Sequence, residues 1–179
     1  MRTTLAALVV SAAALLAVPL PSAHSVPAGG ADHASTHRTS AARVVTVRQR
    51  VIDITNNKRR AHGCRNLNGN AALGRAAQRH SVRMADYFGS HAWDSALAHR
   101  LPGEAYFTDR FVAAGYRNWT RAAENVAYGY TTPSQVVNGW MHSTIHRRNI
   151  LDCRFKDIGV GFARAADGTP YWTQDFGRR

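Results

Sequence analysis

Two cysteines, Cys64 and Cys153, stand about half the chain apart, and a bond between them would tie the start of a domain to its end. Whether they pair depends on the compartment, and the first residues indicate which one. The run "MRTTLAALVVSAAALLAVPLPSAHSVPAGG" has a charged start at Arg2, an apolar stretch from about Leu5 to Leu20, and small residues at Ala23-His24-Ser25, the pattern a signal peptidase reads. The apolar stretch falls short of the ~20 residues a membrane span needs, Pro19 and Pro21 break it, and no basic stop-transfer block follows. Residues 1–25 are therefore expected to be a secretion signal cut near Ser25, and the product an extracellular protein with no transmembrane segment. An oxidising compartment favours a bridge over two free thiols, and two cysteines allow one intramolecular pairing. Closing a loop of roughly 90 residues would stabilise the fold by on the order of 4 kcal/mol in the chain-entropy account.

The chain has 179 residues, of which 45% are hydrophobic, enough for one domain with a core and too few for two. Residues 26–40, "VPAGGADHASTHRTS", contain no large apolar side chain and read as a tether that extends to about residue 45. Removing residues 1–25 deletes one arginine and no acidic residue, which lowers the net charge from +12 to +11. Such a balance attracts polyanions, but the basic residues are dispersed and no nucleic-acid motif with interleaved aromatics is present.

From Ala41 to about Arg60, Val44, Val45, Val47, Val51, Ile52 and Ile54 form a broad helical stripe between arginines. "NAALGRAAQRHSVRMADYFG" offers Asn70 as N-cap of a second helix and Gly89 as its stop. A shorter helix is expected from about Thr108 to Ala114, capped at Thr108 or a neighbour and ended by Gly115. In "TTPSQVVNGWMHS", Thr132 caps, Pro133 takes the first helical position, and Val136, Val137, Trp140 and Met141 face a core, which puts His142 near the helix end. "FKDIGVGFA" and "YWTQDFG", joined by a turn at Asp167-Gly168, read as an antiparallel hairpin. The sum is an α+β layered domain.

His142 and His146 are four residues apart, the spacing of a zinc protease helix. That enzyme needs His-Glu-x-x-His, with the glutamate as general base, and here Ser143 follows the first histidine. Ser143 and His146 lie close enough for a nucleophile and base, but neither a nucleophile elbow nor an orienting carboxylate accompanies them. The chain has two glutamates, Glu104 and Glu124, and Glu124 sits among small apolar residues in "RAAENVAYGY". A buried carboxylate there is either hydrogen-bonded structure or a functional group with a perturbed pKa.

"HSVRMA" (80–85), Ser90-His91, "AENVAYGY" (123–130), "VVNGWMHSTIHRRNIL" (136–151), "FKDIGVGFA" and "YWTQDFG" together resemble, in order and spacing, the bacterial SCP-like members of the CAP superfamily of cysteine-rich secretory, antigen-five and pathogenesis-related proteins. The resemblance covers residues 46–179. It implies a three-layer α-β-α sandwich with a central antiparallel sheet, and it supports the Cys64–Cys153 bridge. It also implies a central cleft whose histidines and glutamates bind zinc or another divalent cation in some members. Carried over position by position, the cleft residues are His91, Glu124 and His146, a possible metal set, while Ser143 stands where many relatives place a second glutamate. Without that second carboxylate no general base is evident. The expected function is therefore a monomeric, non-enzymatic extracellular module that engages a cell-wall polymer, a lipid or sterol, or an extracellular protein. The alternatives are a cation-dependent hydrolase or peptidase using the cleft residues, and a secreted basic protein that binds polyanions.

Overall fold

The computed structural model describes residues 46–90 and 97–179. The expected secretion signal, the tether and His91 lie outside them. The elements in chain order are α1 (Val47–Ala61), β1 (Asn68–Gly69), α2 (Ala71–Ser90), α3 (Phe107–Ala113), β2 (Arg121–Tyr128), α4 (Pro133–His142), α5 (Thr144–Leu151), β3 (Asp157–Arg164) and β4 (Pro170–Arg178).

The helix boundaries follow local chemistry in most places. Asn70 Oδ1 accepts from the backbone N–H groups of Ala72 and Leu73 at 3.0 and 3.2 Å, so it caps α2 as expected. Thr132 and Gln135 form a reciprocal capping box at the start of α4, with Pro133 inside the first turn. Two expectations are corrected. α3 begins after Tyr106 with no side-chain cap, because the aromatic run Tyr106-Phe107 and Phe111 anchors it by packing instead. Gly89 does not stop α2, which continues to Ser90.

The sheet order is β1-β3-β4-β2. β3, β4 and β2 are antiparallel neighbours, while the two residues of β1 add to β3 in parallel. Alternation along β3 and β4 splits the core into two layers. Ile158, Val160, Trp172 and Phe176 pack with Val51 of α1, Val136, Val137 and Trp140 of α4, and Ile150 of α5. The opposite face receives α2, where Ser81 donates to Thr173 at 2.9 Å and Met84 packs with Val126 and Tyr171.

Contact between α2 and β3 is backbone on backbone. A Cβ on Gly159 would lie 2.1 Å from the Leu73 carbonyl carbon, and one on Gly161 would lie 2.1 Å from the Ala77 carbonyl oxygen. The Gly-Val-Gly of β3 is therefore a seat for α2, and its valine, Val160, fills the opposite layer. Cys64 and Cys153 are bonded, with their Cα atoms 5.0 Å apart.

Candidate functional site

β2 is an edge strand, and the polar residues of interest collect along it. Glu124 is buried on the α2 side of β2, directly across from Asp175 of β4. Its Oε1 faces His99 Nδ1 at 3.0 Å, and its Oε2 accepts from Arg110 Nη2. Arg110 comes from α3, where it lies one turn from Phe107 and beside Phe111, and its Nη1 donates to the carbonyls of His99 and Ala105 at 3.0 Å each. The loop over residues 99–105 is thereby stitched down across Glu124.

A second carboxylate closes the network. Glu104, also buried, faces His80 Nδ1 at 3.0 Å, accepts the Leu101 N–H at 3.2 Å, and lies 3.7 Å from Arg110 Nη1. Within the stretch "HRLPGEAYF" only Leu101 and Glu104 are buried, and they pin an otherwise exposed segment to α2 and α3.

The charges follow from these contacts. Burial pushes the Glu124 carboxyl up, but the His99 contact and the positive fields of Arg110 and His80 outweigh it and hold Glu124 below the ordinary carboxylate value. Asp175 is fully buried, its two oxygens have no hydrogen-bond partner among the described residues, and burial together with the charge on Glu124 pushes it well above the ordinary value. The two carboxyls of the cross-strand pair are thus shifted in opposite directions, Glu124 downward and Asp175 upward.

On the outer edge of β2 lies a cleft of about 490 Å³ lined by Leu97, Val126, Ala127, Tyr128, Tyr130, Gly139, Trp140, Ser143 and His146. His146 sits on α5, which follows α4 directly because Ser143 closes α4 and caps α5 without a gap. Its position is set by a polar ladder through the sheet. Thr55 accepts from Gln174, Gln174 accepts from Asn125, Asn125 donates to the His146 carbonyl, and Asn149 donates to Asn125 Oδ1. Burial, with a smaller push from nearby His99, lowers the His146 pKa, so its ring is a neutral imidazole at pH 7. Neither the His146 ring nor the Ser143 hydroxyl has a hydrogen-bond partner among the described residues. Gly139 lets the Tyr130 ring lie against α4, since a Cβ there would stand 2.4 Å from the Tyr130 hydroxyl oxygen. His142 is turned away, with its Nδ1 2.8 Å from the Asn138 carbonyl oxygen.

The structure thus brings Ser143 and His146 into one cleft, while Glu124, on the strand that walls it, does not line it. His99 is the described histidine that meets Glu124. His99, Arg110 and Asp175 were missed from sequence. Arg110 carried a signal, since it falls on the apolar stripe of Phe107, Phe111 and Ala114. Asp175 carried none, because β4 is buried on both faces and shows no alternation to break.

A divalent cation does not fit Glu124 as it stands. One oxygen faces an imidazole nitrogen, the other holds a permanent guanidinium charge, and among the described residues no three His, Cys, Asp or Glu side chains are grouped to ligate a metal.

Residues 52–176 match the sequence profile of the CAP family, the cysteine-rich secretory protein family. The chain belongs to this family. It is 31% identical over 146 residues to the uncharacterized protein YkwD of Bacillus subtilis, covering 82% of this chain and 52% of that one. It is 26% identical to an extracellular SCP-domain protein of Bacillus anthracis, with a TM-score of 0.63 over 74% of this chain and 40% of that one. An outer surface protein of Borrelia burgdorferi shares the fold, with a TM-score of 0.62 at 17% identity over 72% of this chain and 90% of that one. The CAP chain described here spans about half the length of YkwD and 35% of the membrane protein YlbC of Bacillus subtilis, another relative it matches. Among its described residues no helix is long and apolar enough to cross a membrane.

Proposed function

We propose that this CAP-family protein is an extracellular binding domain whose cleft holds the apolar part of a lipid, with His146 and Ser143 receiving the lipid's polar group. The observation that carries this reading is the engagement of Glu124. Both of its oxygens are committed to His99 and Arg110, so among the described residues the cleft offers apolar walls and two unpaired polar side chains, and Glu124 is not free to serve as general base. Hydrolysis through His91, Glu124 and His146 would need that carboxylate released from Arg110. Placement outside the cell is supported by the leader-like first residues, by the Cys64–Cys153 bond, and by relatives described as extracellular and outer-surface proteins. The net positive charge favours approach to anionic cell surfaces.

Displacement of a fluorescent fatty acid from the purified protein tests the reading. Saturable binding is expected, weakened about tenfold by His146→Ala, the loss of one hydrogen bond to a charged group. Because the folded His146 pKa lies below 6.5, the imidazolium appears only under acid conditions. Affinity for the carboxylate probe should rise as pH falls below 6.5 and stay flat in His146→Ala. Retention on isolated cell wall without any saturable lipid binding would overturn the lipid assignment. Hydrolysis of a wall or peptide substrate that His146→Ala abolishes would overturn the non-enzymatic one.

A further inference from the structure

A second cavity, of about 560 Å³, opens between the start of β2 and the end of α5 and is lined by Arg121, Arg148, Asn149, Asp152, Cys153 and Arg154 among others. It shares no lining residue with the apolar cleft. Three arginines line the cavity beside one carboxylate, Asp152, which is already saturated by two of them. Asp152 Oδ1 accepts from the Arg154 backbone N–H at 3.0 Å and from Arg154 Nε at 2.8 Å, while its Oδ2 accepts from Arg154 Nη2 at 2.8 Å and lies 3.5 Å from Arg121 Nη1. Arg154 is therefore a cation locked in place by a two-pronged pair.

The other two arginines keep most of their donors. Arg148 is exposed and has no hydrogen bond or ion pair among the described residues. Among the described residues the Arg121 side chain has only the long contact to Asp152, and its cross-strand partner is Arg178, a second arginine directly opposite it in the ladder. Like charges placed opposite one another destabilise a sheet unless a counter-charge joins them. The small side chains of Ala122 and Ala123 leave room beside the arginines, and the disulfide at Cys153 braces the turn.

We propose that this cavity binds a linear phosphate polymer, gripped by Arg121 and Arg148 with Arg154 as a fixed third cation. Arginine forks match phosphate oxygens two at a time, and a chain of phosphates can engage guanidiniums that come from a strand, a helix and a turn. The volume is many times that of one phosphate group, and the cavity is open, as a polymer requires. This site stands or falls apart from the lipid reading, because neither test touches the other's residues.

The test is calorimetric titration of the full chain with a short linear polyphosphate, alongside inorganic phosphate and vesicles of anionic phospholipid. Saturable polyphosphate binding that weakens with added salt is expected. Arg121→Gln with Arg148→Gln should weaken it by about tenfold or more. Arg50→Gln with Arg117→Gln removes the same charge from exposed positions elsewhere and should leave affinity unchanged. Equal weakening by the two pairs would reduce the effect to diffuse charge and overturn the site. So would absent saturable binding, inorganic phosphate binding as tightly as the polymer, or binding to vesicles alone.

Discussion

Glu124 and Asp175 face each other across β2 and β4 with pKa values shifted in opposite directions, and this has a consequence for stability against pH. Glu124 is held below its ordinary value of 4.5, so its contribution is present above that value and is lost as pH falls through the folded pKa. Asp175 is raised above 3.8, so its contribution is full below that value and is lost as pH rises towards its folded pKa. At pH 7 the second effect weakens the fold. Asp175→Asn should therefore be more stable than the parent at pH 7 in urea unfolding, with the advantage shrinking as pH is lowered towards 4. Glu124→Gln should do the reverse, costing about 3 kcal/mol at pH 7, because it leaves the buried Arg110 charge with only the more distant Glu104 carboxylate. Glu124 was readable as a buried carboxylate from its apolar neighbours. Its partners were not, since His99, Arg110 and Asp175 come from a loop, a helix and a strand that no spacing rule connects.

The elements themselves were more legible. Thr132-Pro133, Asn70 and Asp167-Gly168 each act within a few residues of themselves, so the start of α2, all of α4 and the β3–β4 hairpin followed from local chemistry. β2 and α5 were not distinguished. β2 mixes buried polar and small residues, and α5 begins at Ser143 with no capping bond to announce it. "GVG" in β3 read as strand, but its purpose as the seat of α2 depends on a helix more than seventy residues earlier. Gly161→Ala should cost about 3 kcal/mol or more in chemical denaturation, because the new methyl meets backbone that cannot step aside. Gly139→Ala acts differently. It should push Tyr130 out of its place on α4 and change lipid affinity more than stability.

The molecule as a whole is fastened at one end by the Cys64–Cys153 bond and by Arg59. This arginine is fully buried and donates to the carbonyls of Arg65, Ile150, Asp152 and Phe155. It ties the end of α1 to the turn that carries Cys153 and walls the basic cavity. Cys64→Ser with Cys153→Ser should lower stability by about 4 kcal/mol, the entropy of an 89-residue separation no longer closed in the unfolded chain. The double variant should still reach the native fold in urea titrations, because the two core layers do not depend on the bond. Sequence alone determined what local chemistry controls, namely the starts of α2 and α4, the hairpin, the cysteine pair and, through recurring motifs, the family and its layered fold. Only the tertiary structure decided which groups meet Glu124, which described side chains of the cleft remain unpaired, and that three arginines line one cavity beside a carboxylate already spent on two of them. Those outcomes depend on contacts between residues far apart in the chain, where burial and charge act through space and leave no period in the sequence.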